Sequence, residues 1–251
     1  MTTVYDIDAF MSEWAKKEFS EEWDNDGVML CKNTGEPVKK ILVCLEINEK
    51  TANEAKEQNC DLIVTHHPYI FRPLKSICGK DFELAQLLIS SGISVLSYHT
   101  RLDAAQGGVN DVLAETLCLC NAVPFAGLGR VGELSHEMDE KEFLSFVKEK
   151  LSCDILRHSR LCGKKIKKVA VVGGAGKDFV LDAAKIADAY ITGDLSHNAF
   201  ITAQEQGVLA VDAGHYHTEN PVAKAVAQKL SEKFPMLEVF VSDPLCPFYT
   251  F

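Results

Sequence analysis

The sequence is poor in the features that would assign it quickly. No apolar run in its 251 residues approaches the roughly 18 needed to span a membrane. Its first residues, Met1-Thr-Thr-Val-Tyr-Asp6, carry neither a basic nor an apolar leader pattern, so no signal peptide is expected. Positive charge is scarce: 26 Lys and Arg against 36 Asp and Glu leave a net charge of −10. That balance argues against a protein that grips the phosphate backbones of nucleic acids, although a small anionic substrate held through metal ions stays compatible with it. The nine cysteines contain no C-x-x-C, and their odd number suits reduced thiols, mostly in the core, and a cytoplasmic setting. No G-x-S-x-G occurs, and no Ser-His-Asp or Cys-His pattern announces a nucleophile. The turn Gly173-Gly-Ala-Gly-Lys-Asp178 fails the Walker pattern, with Val171 at the first glycine position and Asp178 in place of Ser or Thr. It also fails G-x-G-x-x-G, with Phe179 at the third glycine position. Gly173, Gly174 and Gly176 could still offer free amides to an anion, and a plain tight turn is the competing reading.

What the chain does have is alternation of strand and helix. Strands are predicted over residues 28–30, 41–47, 61–65 and 94–98, and helices over 7–19, 49–58, 82–90 and 109–119. Residues 70–81 read as an irregular excursion, and 122–132 as a loop rich in small residues. The second half gives strands over 168–172, 189–192, 208–212 and 238–241, helices over 139–151, 179–187, 198–206 and 222–234, and a Pro-punctuated tail. The halves match: Asp61-Leu-Ile-Val-Thr65 and Asp188-Ala-Tyr-Ile-Thr192 each follow a strand and a helix at the same offset. The expected fold is therefore α/β, with two similar, duplicated lobes of mostly parallel sheet, at residues 1–125 and 126–251. The site is expected between them, at the C-terminal ends of the strands, where open parallel sheets bind their ligands.

Six of the eight histidines fall just after predicted strands: His66, His67, His99, His197, His215 and His217. His136 and His158 sit in polar surroundings and read as surface residues. A single histidine beside an apolar strand is usually structural. Six at strand ends, joined by Asp103, Asp194 and Glu219, point to a site. Imidazole with carboxylate and no thiolate is the donor mix of catalytic Zn, Fe, Mn or Ni centres. Side chains alternate at a strand end, so His66 and His67 are expected to face different ions rather than to claw one. His215 and Glu219 are four apart and share a face if their segment is helical. Thr218 is placed to cap the helix that follows. His66, His67, Asp103, His215 and Glu219 suffice for a dinuclear centre with positions open to water. That leaves His99, His197 and His217 to orient the ligands or for acid–base work, with His99 and His197 the candidate catalytic residues. The plainer alternative is that Asp103 and Glu219 merely begin helices.

Four stretches resemble the GTP cyclohydrolase I type 2 family, also called NIF-three-like proteins. They are Val64-Thr-His-His-Pro-Tyr-Ile-Phe71, His99-Thr-Arg-Leu-Asp-Ala-Ala-Gln-Gly-Gly-Val-Asn-Asp111, Val172-Gly-Gly-Ala-Gly176 and Gly214-His-Tyr-His-Thr-Glu219. Trp23-Asp-Asn-Asp-Gly27 resembles the family's N-terminal motif as well. The resemblance implies two divalent metal ions on His66, His67, Asp103, His215 and Glu219, with Glu219 shared, in a ring-shaped homohexamer. Glu46, Asp194 and Asn198 depart from the commonest family residues, which bears on substrate rather than on metal. The family name implies opening of the GTP imidazole ring with release of formate. A non-enzymatic metal-binding scaffold or regulatory partner, or a phosphoesterase, would carry the same ligands.

Overall fold

A computed structural model of the chain describes residues 1–242, 246 and 247. The first of its two compact units opens with α1 (Val4–Trp14), β1 (Gly27–Leu30), β2 (Lys40–Cys44) and α2 (Glu49–Glu57). It continues through β3 (Leu62–Thr65), α3 (Lys80–Ser90), β4 (Ser94–Ser97) and α4 (Thr100–Ala104). The second unit runs from Gly107 to Pro221: α5 (Val109–Thr116), β5 (Cys120–Phe125), β6 (Gly129–Asp139), α6 (Glu140–Lys150), β7 (Arg157–His158), β8 (Lys165–Ala175), α7 (Val180–Ala184), β9 (Ala189–Gly193), α8 (His197–Gln206), β10 (Leu209–Asp212) and α9 (His215–Glu219). The chain then returns to the first unit through α10 (Val222–Lys233) and β11 (Glu238–Val241).

The first sheet has the order β1-β4-β3-β2-β11, parallel throughout except for β1. Leu42, Cys44, Ile63 and Val95 project to one face, where Ala52 and Ala55 of α2 and Leu88 of α3 cover them. The second sheet has the order β5-β6-β8-β9-β10-β7. Along β8 the core alternates as a strand requires. Val169 and Val171 join Leu113 of α5 and Phe143 and Val147 of α6. Ala170 and Val172 join Val180 and Ala183 of α7 and Ala199 and Ala203 of α8.

The duplication reaches individual hydrogen bonds. Asp61 Oδ2 accepts from the amides of Lys39 and Lys40 at 2.7 and 3.0 Å, tying the start of β3 to the start of β2. Asp188 Oδ2 accepts from Lys167 and Lys168 at 3.0 and 2.8 Å, tying β9 to β8 in the same way. The units β2-α2-β3-α3-β4 and β8-α7-β9-α8-β10 thus share strand order, direction and these ties.

Several expectations are corrected. The units divide at Gly107 rather than at residue 126, and the last helix and strand return to the first unit because β11 pairs parallel with β2. Residues 122–132 are not a loop but most of an antiparallel hairpin, β5–β6. The strand signal was weak there because β5 is an exposed edge strand, where Pro124 is tolerated and apolar alternation is not needed. With β5, β6 and β7 antiparallel, the second sheet is mixed rather than mostly parallel. Of the free cysteines, Cys44, Cys60 and Cys153 are buried, while Cys78, Cys118, Cys120 and Cys162 are exposed, so the thiols are not mostly in the core. Burial pushes the Cys44 thiol up to about 12 and those of Cys60 and Cys153 up to about 11. The Pro-punctuated tail falls largely outside the described residues. Among the described residues, no helix is long and apolar enough to cross a membrane.

Candidate metal centre

In the first unit the site grows from the end of β3. Past Thr65 two successive amides turn to the same neighbouring segment, His66 N–H donating to Cys44 O at 3.3 Å and His67 N–H to Leu45 O at 2.8 Å, so the regular alternation of the strand ends there. His66, only 2% exposed, has Nδ1 3.0 Å from the carbonyl oxygen of Tyr98. A carbonyl can only accept, so Nδ1 carries a proton, and Nε2 is the ring nitrogen left to face a metal ion. That atom lies 3.7 Å from Oδ1 of Asp103, on α4. The gap is longer than a hydrogen bond, and a cation with bonds of about 2.1 Å to each donor would span it. His67 turns Nδ1 the other way, to Oε2 of Glu46 at 3.4 Å.

The two rings diverge less than strand alternation would require. Their centroids are 5.1 Å apart at an interplanar angle of 41°, because both residues lie past the last residue of β3 and so escape the strict alternation of a pleat. His99 completes the group: one donor atom each of His66, His67 and His99 lie within 4.8 Å of one another. Nδ1 of His99 is held by Oδ1 of Asp24 at 2.8 Å. The other Asp24 oxygen accepts from the Thr100 amide at 3.0 Å and its hydroxyl at 2.6 Å.

Burial opposes ionisation of Asp24, but the hydrogen bonds from His99 and Thr100 outweigh it and hold its pKa at about 2. Because the folded value is depressed, the unfolded chain binds the extra proton between roughly pH 4 and 2. The stability that Asp24 contributes is therefore complete above pH 4 and lost as the pH falls through 2. Urea midpoints measured from pH 6 to pH 2.5 are expected to fall more steeply below pH 4 in the parent protein than in Asp24→Asn. Parallel curves would show that these hydrogen bonds do not act on Asp24 as described.

In the second unit, α9 places His215 and Glu219 one turn apart, with His215 Nε2 2.9 Å from Glu219 Oε2. Nδ1 of His215 is held by Asp194 Oδ2 at 2.8 Å. Asp194 follows β9 and Gly214 follows β10, and one buried carboxylate fixes both connections. Asp212 accepts from the Leu195 amide through Oδ2 and from the Gly214 amide through Oδ1, each at 3.0 Å. Arg157 pairs with the same Oδ2.

The glycine turn after β8 does not offer free amides. Gly173 N–H donates to Asn110 Oδ1 at 2.8 Å, Gly174 N–H to Thr218 Oγ1 at 3.0 Å and Gly176 N–H to Thr192 Oγ1 at 2.9 Å. The anion reading is corrected on that ground. Gly174, at φ +64°, instead makes room: a side chain there would collide with the Glu219 carboxylate, with Cδ only 2.9 Å away. Thr218 lies inside α9 and receives Gly174, so it is not the cap of α10.

Sequence reasoning thus found the imidazoles and two carboxylates. Asp194 was expected at the site beside Asp103 and Glu219, and Glu46 only as a departure that bears on substrate, but neither was expected to hold an imidazole; Asp24 and Asp212 had no expected part. Asp24 lay in a motif noted only for resemblance. Asp194 stood just past a predicted strand, which was the available signal, while Glu46 fell inside the strand predicted over 41–47 and lies past its end only because β2 stops at Cys44. His197 is exposed at the first position of α8, outside every candidate donor group among the described residues. His136 and His158 are exposed, as expected. Burial pushes His217 below the ordinary imidazole value.

A family model, Duf34/NIF3 (NGG1p interacting factor 3), matches residues 2–245. A Clostridium perfringens protein named GTP cyclohydrolase 1 type 2 homolog is 35% identical over 240 residues, 91% of each chain. A Methanocaldococcus jannaschii protein of the same name is 33% identical over 219 residues, 85% of this chain and 88% of its own. Among solved structures, a Bacillus cereus protein related to NIF3 shares the fold, with a TM-score of 0.93 at 22% identity over 100% of this chain and 99% of its own. Reduced HcgD from Methanocaldococcus jannaschii has a TM-score of 0.84 at 30% identity over 97% and 98% of the two chains.

Proposed function

This chain belongs to the Duf34/NIF3 family, and from that premise we propose that it is a metal-dependent hydrolase of a nucleotide or a related small anion. In this reading His66, His67, Asp103, His215 and Glu219 hold two divalent ions, of Zn, Fe, Mn or Ni, and the chains assemble as a homohexamer. The observation that carries it is the repeated orientation of imidazoles. Glu46, Asp24 and Asp194 hold Nδ1 of His67, His99 and His215, and the Tyr98 carbonyl holds that of His66. A ring tied at Nδ1 turns Nε2 outward as a lone-pair donor, the usual arrangement behind metal-ligating histidines. The donors are nitrogen and oxygen only, which fits a hydrolytic divalent ion.

A divalent ion bound there supplies Lewis acidity, neutralising an anionic substrate and lowering the pKa of water. The chain's own residues do the rest. Asp24 keeps the proton of His99 on Nδ1, so Nε2 of His99 can take a proton from water and return it to the leaving group. Glu46 and Asp194 raise the basicity of the rings they hold. His197 has no part in this reading.

The test is to incubate metal-loaded protein with a panel of nucleotides and to follow formate, phosphate and base products. Turnover that is lost in Asp103→Ala is expected, with formate release if GTP is opened as the relatives' name suggests. Phosphate without ring opening would make the protein a phosphoesterase. No product above the Asp103→Ala background on any substrate would overturn the hydrolase reading and favour a metal-binding scaffold.

A further inference from the structure

Beside the imidazoles of the first unit stands an aromatic corner that metal binding does not use. Trp23 is 60% exposed and Phe71 is 44% exposed, and neither joins the core cluster around Leu42, Ile63, Leu88 and Val95. Their ring centroids are 5.9 Å apart at 69°, so one ring presents its edge to the face of the other. Both also stand edge-on to His99, Trp23 at 6.1 Å and Phe71 at 6.0 Å between centroids. His99 in turn lies 5.3 Å from the ring of His66 and 5.8 Å from that of His67. The corner therefore opens directly beside the donor group.

A single exposed aromatic needs no explanation, but exposed rings in contact with one another at the rim of a polar site form the kind of contiguous patch that marks a binding groove. Trp23 immediately precedes Asp24, whose carboxylate is fixed by His99 and Thr100, so the backbone that carries the indole is anchored to α4. Phe71 follows His67 by four residues and is anchored from the other side by the Asn25 side chain, which donates to Ile70 O at 2.5 Å. Two exposed rings inclined at 69° give a flat ligand one face to stack on and one edge to meet.

We propose that Trp23 and Phe71 form an aromatic subsite that takes the planar nitrogen heterocycle of the substrate and sets it beside His99. This rests on the hydrolase reading above and sharpens it: the substrate class becomes nucleobase-bearing compounds rather than small anions in general. The subsite recognises the ring, while the phosphate or other anionic part is left to the metal centre. Stacking of this kind tolerates different bases, because every base has a π-face.

The experiment is calorimetric titration of the metal-loaded protein with GTP and, in parallel, with inorganic tripolyphosphate, which has the charge but no ring. The parent protein is compared with Trp23→Ala, Phe71→Ala and the conservative Trp23→Phe, each checked for unchanged metal content. The expected result is GTP binding weakened about tenfold or more by each alanine variant, in line with the usual contribution of base stacking. Trp23→Phe should restore most of the loss, and tripolyphosphate affinity should be the same throughout. GTP affinity unchanged in both alanine variants would overturn the subsite, as would equal losses for GTP and tripolyphosphate. A parent protein that binds GTP no more tightly than tripolyphosphate would do the same while leaving the metal-site reading intact. Loss of that reading shows separately, as a parent protein that retains no metal.

Discussion

Replacing Gly174 by alanine is expected to destabilise the protein by about 2–5 kcal/mol and to cost it metal. Two effects add. A non-glycine residue in left-handed backbone costs roughly 1–2 kcal/mol, and forcing a methyl group into filled space costs roughly 1–3 kcal/mol more. The space is filled by Glu219 itself, whose Cδ would be 2.9 Å from the new carbon, with His215 Nε2 at 3.2 Å. The carboxylate must therefore leave the position in which it meets His215. Gly92 provides the control: its φ of +69° carries the same strain, but nothing lies within 4 Å of an added Cβ. Gly92→Ala should cost only the strain, about 1–2 kcal/mol, and should keep its metal. Urea midpoints with unchanged slopes, read beside metal content, separate the two effects. If Gly174→Ala behaves like Gly92→Ala in both readouts, the turn was not shaped around Glu219.

The second large effect belongs to Asp212, which touches no candidate ligand atom. Its side chain is 4% exposed, and it gathers the Leu195 amide, the Gly214 amide and Arg157. Asp212→Ala leaves two amides without their acceptor, at roughly 1–3 kcal/mol each where they are buried. The Arg157 pair adds little, since that side chain is 60% exposed. Beyond stability, the variant frees the loops that carry Asp194 and His215, and metal affinity should fall about 10- to 100-fold, as it does when groups that orient ligands are lost. Asp212→Asn keeps one carbonyl oxygen as acceptor and should fall between. Metal affinity untouched in Asp212→Ala would mean that His215 is held by other contacts.

These two residues also show what could and could not be read from the sequence. The candidate donors were legible because they obey short-range rules: His66 and His67 close an apolar strand, and the spacing of His215 and Glu219 puts them on one face of a helix. The duplication was legible from the matched Asp61 and Asp188, and the reason is now visible in their paired ties to Lys39–Lys40 and Lys167–Lys168. What failed was anything set by partners distant in sequence. Whether the glycine turn was an anion cradle or a plain tight turn stayed open in the sequence because Asn110, Thr192 and Thr218, which take its amides, come from three other elements. The β5–β6 hairpin was missed because an exposed edge strand needs no apolar face. The return of α10 and β11 to the first unit rests on the pairing of residues such as Val239 with Ile41, which no local pattern records.

The most direct test of the account is the metal content of the purified chain, reconstituted with a divalent ion and freed of excess, by inductively coupled plasma mass spectrometry. The account predicts two ions per chain in the parent protein. It predicts one or fewer in each of His66→Ala, His67→Ala, Asp103→Ala, His215→Ala and Glu219→Ala, with the full content kept in His136→Ala. A parent protein that holds no metal, or five variants that all keep two ions, would contradict it.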